Sequence, residues 1–212
     1  MKALLFDMDG TLAHTERLHI QALQQIAWAH GKQVSTQALA AAAGRTTVAV
    51  VAELFPELDG ARHLALAAEK ESLFRQLATD LTPVAGLVTL LERARRRDLR
   101  IGLVTNAPLA NVTHVLKTLM IGAYFDTVVT ADYLPRSKPD PLPYSVALKE
   151  LHVAPSAALA FEDSVPGIRS ATGAGIRTIG VTSNIDAAVL RAAGASDIIA
   201  DFAGYALPTE IS

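Results

Sequence analysis

The sequence predicts an α/β fold: a doubly wound, mainly parallel sheet of Rossmann-like character, with an all-α cap subdomain inserted near the amino terminus. Three observations carry that reading. Short apolar runs of strand length alternate with segments of helical period from about residue 84 to the end. The first such run, residues 3–7, is separated from the second by about ninety residues, far more than one crossover needs. The stretch between them, roughly 14–81, has helical periodicity and no strand signal.

In chain order, Ala3-Leu-Leu-Phe6 is an apolar run that stops at the acidic, glycine-containing segment Asp7-Met-Asp-Gly-Thr11, the pattern of a buried strand ending in a turn. In the insertion, Leu18, Ala22, Ile26 and Ala29 form a helical stripe ending near Gly31. Ser35 is placed to cap a short Ala-rich helix that Gly44 closes. Val48 to Leu54 forms a third helix, stopped at Pro56, and Ala61 to Leu77 a fourth. Strand-like runs resume at Ile101–Val104, Thr127–Val129, Ala158–Phe161 and Thr178–Val181, with Ile198-Ile199 as an edge strand. Between them lie the stripes Leu87, Leu90, Leu91, Ala94 and Val112, Val115, Leu116, Leu119. The expected division is therefore a core of residues 1–13 and 82–212 and a cap of residues 14–81.

Composition limits what such a chain can do. Of its 212 residues, 50% are hydrophobic and 19% charged, which places it among folded globular proteins. A net charge of -2 supplies no bulk field for nucleic acid or an anionic membrane, so an anionic ligand has to be caught locally. The absence of cysteine excludes disulfides, zinc ribbons, iron–sulfur clusters and thiol catalysis, and leaves oxygen or imidazole as metal ligands. Four apolar residues before Asp7 are too few for a signal-peptide core, and charges interrupt every apolar run before membrane-spanning length. The chain is expected to be cytoplasmic, without nucleic-acid or membrane partners, and a monomer or else a homodimer.

Ligands of open parallel sheets bind where the carboxyl ends of the strands converge. Strand one ends in Asp7-Met8-Asp9, the next in Thr105-Asn106, and the Ala158 strand in Glu162-Asp163, so four carboxylates, a hydroxyl and an amide are expected over one edge. Crowded carboxylates need a cation, and a hard divalent ion such as Mg2+ suits oxygen ligands. An Asp-x-Asp pair offers one carboxylate to attack and another to move a proton. Neither can approach a phosphate without compensating positive charge. Lys138, in Arg136-Ser-Lys-Pro-Asp140, is the best-placed lysine.

These residues carry a resemblance. Phe6-Asp-Met-Asp-Gly-Thr-Leu12 resembles the first motif of the haloacid dehalogenase-like hydrolase superfamily; Val104-Thr-Asn-Ala107 is similar to the second, Lys138-Pro139 to the third and Phe161-Glu-Asp-Ser164 to the fourth. Order and spacing match over essentially the whole chain, and a helical cap after the first motif resembles the β-phosphoglucomutase-like and phosphatase branch. The resemblance implies that Asp7 attacks phosphorus, giving an aspartyl-phosphate, and that Asp9 protonates the leaving alcohol and then activates water. It implies that Thr105, the Asn106 region and Lys138 bind the phosphoryl group, and that Mg2+ is held by Asp7, the Asp9 carbonyl and Asp163, with Glu162 as a direct or indirect ligand. An acid at Asp9 favours phosphate-ester chemistry, because the dehalogenases and transport ATPases of the superfamily lack one there.

Structural roles compete for the same residues. Asp favours turns and caps, Thr105-Asn106 could begin a turn before Pro108, Lys138 could be an exposed loop lysine, and Glu162-Asp163 could cap the helix after Ser164. Thr15 and His19 stand one helical turn apart after the first motif, where the family's mutases carry a similar pair; a solvated histidine fits that position equally well. Gly44-Arg45-Thr46-Thr47 resembles the cap's substrate-specificity loop, yet the mutases usually carry arginine three positions after that glycine, where Thr47 stands here. Arg45 takes a related role or none. Arg93, Arg95, Arg96 and Arg97 read as a solvated helix face, and Trp28 as core or cap packing.

The expected function is a Mg2+-dependent phosphatase acting on a small phosphorylated metabolite, a sugar phosphate. The alternatives are a phosphosugar mutase or a non-catalytic regulatory homologue.

Overall fold

The computed structural model describes residues 1–40, 42–183 and 185–208. Asn184, expected to follow a strand, and the final residues 209–212 fall outside these.

Six parallel strands form one sheet: β1 (Ala3–Phe6), β2 (Arg100–Thr105), β3 (Thr127–Thr130), β4 (Ala158–Glu162), β5 (Arg177–Val181) and β6 (Asp197–Ile199), in the order β3-β2-β1-β4-β5-β6. Strand β6 is an edge, as its short sequence suggested. The chain winds outward from β1 in one direction through β2 and β3, and in the other through β4, β5 and β6, so the switch point lies beside β1. Phe6 pairs with Leu103 on one side and Phe161 on the other, so the residues following these strands emerge together.

Both faces of the sheet are covered, which explains why the strands are continuous apolar runs without polar alternation. Leu4, Phe6, Ile101, Leu103, Leu159 and Phe161 pack on one face beneath α5 (Leu87–Arg96) and α6 (Leu109–Thr118). Ala3, Leu5, Val104 and Ala160 pack on the other beneath α7 (Leu142–Leu151) and α8 (Val165–Gly173). Helix α9 (Ala187–Ala193) buries Leu190 against Ile168 of α8.

The residues between β1 and β2 include four helices ahead of α5: α1 (Glu16–Ala29), α2 (Thr36–Ala40), α3 (Thr47–Leu54) and α4 (Gly60–Leu77). They enclose their own apolar clusters, one around Ile26, Val51, Phe55 and Leu66 and another around Ile20, Leu23, Leu39 and Val50. The two connections to the sheet run side by side, with Ala13 bridged to Pro83 and the Val84 N–H donating to the Leu12 carbonyl at 2.8 Å.

Three details differ from the sequence expectations. Helix α2 ends before Gly44, because the chain tightens into bonds three residues apart from Ala42 to Leu39 and from Ala43 to Ala40; Ser35 Oγ does accept the Ala38 N–H. Trp28 is 75% exposed and packs in neither core nor cap, because α1 buries the opposite face through Ile20, Leu23 and Ile26. The arginine run is only partly a solvated face. Arg93 and Arg97 donate to the carbonyls of Tyr205 and Leu207 and tie down the tail, and Arg95 pairs with Asp126. Among the described residues no helix is long and apolar enough to cross a membrane.

Candidate active site

The carboxyl ends of β1, β2 and β4 open into a cavity of about 120 Å³ closed on its far side by α1 to α4. Asp7 leaves β1 directly, and the chain then turns sharply at Gly10, whose φ of +81° and contact with Asp163 leave no room for a Cβ. Asp9, one residue before that turn, lines the cavity together with Asp7.

Lys138 is the electrostatic centre. Only 4% exposed, its ammonium donates to Asp7 Oδ1 at 2.6 Å, to the Val104 carbonyl at 2.7 Å and to Glu162 Oε1 at 2.5 Å. An exposed loop lysine is thereby excluded. Burial alone would lower its pKa, but the carboxylates of Asp7 and Glu162 outweigh burial and raise it. Tyr144 Oη donates to the same Glu162 oxygen at 2.7 Å. The Asp7 carboxyl is pushed up to about 7, first by burial and then by Glu162, against the opposing pull of Lys138. Asp163 is raised well above the usual carboxylate range by burial and by Asp7 and Glu162.

Asp7, Glu162 and Asp163 each offer an oxygen within 4.8 Å of the others, all three being buried. One lysine cannot neutralise this set, and the raised pKa values of Asp7 and Asp163 express the deficit. The donor set suits a hard divalent cation. Capping does not account for Glu162 and Asp163: α8 is capped by Ser164, whose Oγ accepts the Gly167 N–H at 3.1 Å.

Asp9 has a different environment. Its Oδ1 accepts from Thr15 Oγ1 at 2.7 Å and contacts His19 Nε2 at 3.1 Å. Behind the imidazole, Lys70 Nζ lies 2.6 Å from His19 Nδ1. An ammonium only donates, so Nδ1 is the acceptor and the ring proton sits on Nε2, directed at Asp9. His19 is further fixed by stacking on Phe74 at 3.9 Å. Burial would raise the Asp9 pKa, but His19 and the Thr15 hydroxyl outweigh it and lower it. The two aspartates of one turn are thus pushed in opposite directions.

Thr105 ends β2, buried beside the cavity, its Oγ1 accepting the Ala107 N–H at 3.0 Å. Asn106 lines the cavity but uses its side chain as a strap: Nδ2 donates to the carbonyls of Gly44 and Lys138, and Oδ1 accepts the Lys138 N–H. Arg45 also lines the cavity, but its guanidinium pairs with Glu53 at 2.8 Å.

Sequence reasoning missed Lys70, Glu71, Asn111 and Tyr144. Glu71 Oε1 accepts from Lys70 at 3.0 Å and from the Thr47 hydroxyl, and Oε2 from Asn111 Nδ2 at 2.5 Å. Arg75 Nη1 donates to Asn111 Oδ1 at 2.7 Å, so two α4 side chains grip one residue of α6. A signal was present: Ala67, Lys70, Glu71 and Phe74 follow the spacing of a buried helical stripe, which puts two charges on the face that packs.

Residues 4–181 match the family model of the haloacid dehalogenase-like hydrolases. The chain is 33% identical over 191 residues to a validoxylamine A 7'-phosphate phosphatase of Streptomyces hygroscopicus subsp. limoneus, covering 89% of each protein. It is 31% identical over 206 residues to a phosphorylated carbohydrates phosphatase of Thermotoga maritima, covering 94% of each. Among solved structures, CbbY from Rhodobacter sphaeroides in complex with phosphate superposes with a TM-score of 0.84 at 29% identity, over 96% of this chain and 95% of that one.

Proposed function

Because the chain belongs to the haloacid dehalogenase-like hydrolases, we propose that it is a Mg2+-dependent phosphatase that hydrolyses a small phosphorylated metabolite of the sugar-phosphate class through an aspartyl-phosphate. The observation that carries this reading is the pairing of two differently tuned carboxylates: Asp7 bonded to buried Lys138 at 2.6 Å, and Asp9 held by Thr15 and His19 at 2.7 and 3.1 Å.

Lys138 orients the Asp7 carboxylate and supplies positive charge for the phosphoryl oxygens. The Thr105 hydroxyl and the Asn106 region complete the phosphoryl cradle. An Asp7 oxygen forms a bond to phosphorus as the ester P–O bond breaks, and Asp9 gives its proton to the departing alkoxide. Arrival of the negative phosphate raises Asp9 toward its protonated form. In the second half Asp9 takes a proton from water, the water oxygen bonds to phosphorus, and the Asp7–phosphorus bond breaks to release phosphate. Thr15 and His19 orient Asp9 for both transfers. Asp7, the Asp9 carbonyl and Asp163 would hold Mg2+, with Glu162 behind them fixing Lys138. When bound, Mg2+ supplies the charge that lets these carboxylates and a phosphate coexist. One chain furnishes every residue of this site, so a monomer suffices.

The experiment is hydrolysis of p-nitrophenyl phosphate in the presence of Mg2+, expected to vanish with chelator and in Asp7→Asn. Absence of turnover by the wild type across a broad panel of phosphate esters would overturn the proposal. The mutase reading is disfavoured by the cap: Thr47 stands where a mutase arginine is expected, and Arg45 is already paired.

A further inference from the structure

The cavity has a second end, on the cap side, that the proposed chemistry leaves unused. Leu23, Leu39 and Val50 supply apolar lining there, and Thr47 and Glu71 supply polar lining. Among the described residues two cations line this end: Lys70 is fully engaged, and Arg45 is drawn toward Glu53. Arg45 Nη1 lies 2.8 Å from Glu53. Lys70 has three N–H donors. They are directed at His19 Nδ1, Glu71 Oε1 and Thr47 Oγ1, at 2.6, 3.0 and 3.4 Å.

Glu71 in turn keeps its negative charge, since burial tends to raise its pKa but Lys70 beside it and the Thr47 hydroxyl outweigh burial and lower it. A second phosphate or a carboxylate at this end would lose water and approach a buried carboxylate beside a lysine whose three donors are all taken. Hydroxyls, an ammonium or an apolar edge would meet no such obstacle.

On the premise of the phosphatase reading, we propose that Glu71, locked to Thr47, is a specificity-determining residue that bars a second anionic group. The substrates are then phosphate monoesters whose remaining part is uncharged or cationic, and sugar bisphosphates and phosphorylated sugar acids are refused.

The test compares kcat/KM for glucose 1-phosphate with glucose 1,6-bisphosphate, and for fructose 1-phosphate with fructose 1,6-bisphosphate. The wild type is expected to favour the monophosphate of each pair by on the order of a hundredfold, and Glu71→Gln to narrow that ratio on the order of tenfold. Thr47→Arg, which adds a cation at the same end, should narrow it as well. Taking the ratio within one enzyme cancels any effect of Glu71 on Asp9 through Lys70 and His19. Equal use of both members by the wild type, or an unchanged ratio in both variants, overturns the inference while leaving the phosphatase reading intact. If no ester is hydrolysed, that reading fails, and calorimetric binding of the same compounds to Asp7→Asn decides the inference separately. Preferential binding of the monophosphate supports it; equal binding, or none of either, overturns it.

Discussion

Replacing Asn111 by alanine should loosen the cap without unfolding the sheet. Asn111 is fully buried on α6, donating to Glu71 at 2.5 Å and accepting from Arg75 at 2.7 Å, and both partners belong to α4. Hydrogen bonds to charged groups contribute about 1.5–3 kcal/mol each. Arg75 is partly exposed and can rehydrate, and Glu71 keeps Thr47 and Lys70, so the net loss falls below the two-bond sum of about 3–6 kcal/mol, at about 2–3 kcal/mol. At about 1.4 kcal/mol per tenfold, the population with α4 lifted from α6 should rise thirtyfold to a hundredfold. Amide hydrogen exchange resolves this by region: α4 should exchange faster by that factor while β1 and β4 change little. Asn111→Asp keeps the size and the Arg75 bond but sets a carboxylate against Glu71, so it should be at least as disruptive as alanine. Equal acceleration in the sheet and in α4, or a mild Asn111→Asp, would refute the reasoning and make Asn111 an ordinary packing residue.

Asp9→Asn should impair alkyl phosphates more than p-nitrophenyl phosphate, because only the poor leaving group needs the proton; equal losses in kcat would remove the acid role. Phe161→Ala removes a fully buried ring stacked on Phe6 at 5.0 Å and met edge-on by Phe202 and Tyr205. It should cost about 3–5 kcal/mol in urea denaturation, a cost well beyond that of an exposed residue. Asp126 is lowered in the folded state, since burial opposes but the Ile101 N–H and Arg95 prevail. A depressed carboxylate stabilises above its unfolded value of 3.8 and loses that contribution as pH falls through the lower folded value, so Asp126→Asn should be less stable than wild type near neutrality and equal to it in strong acid. Incubation with β-glucose 1-phosphate and a bisphosphate primer should release phosphate; isomerised product without release would favour a mutase.

The strand ends were legible because they are local events. Asp7, Asp9, Thr105 and Asp163 each follow an apolar run by one or a few residues, and sheet topology brings such ends together without further information. Lys138 was legible through its motif, but only the structure places its ammonium between Asp7 and Glu162, 131 and 24 residues away along the chain. The cap was legible as helices and illegible as chemistry. Lys70 and Glu71 lie in Glu69-Lys-Glu-Ser72, a string of charges that resembles a solvated helix face, and their partners are 51 and 40 residues distant. Trp28 failed in the opposite direction, because ring size suggested packing while helical phase decided exposure. Asn106 lines the cavity, and its ties to Gly44 and Lys138 were not legible, since the demand for backbone hydrogen bonds in two distant loops claims its amide.

The bridge between Ala13 and Pro83 also bears on the order in which the chain assembles. Pairing β1 with β2 directly requires closing a loop of about ninety residues between Phe6 and Arg100. If the helical segment condenses first, its adjoining ends already meet, and the slack left to close is about twenty-five residues. Closure entropy grows as (3/2)RT ln n, so prior condensation lowers the cost of the first strand pairing by about 1 kcal/mol, several-fold in rate. A lesion that unravels the helices would then slow formation of a sheet it never touches.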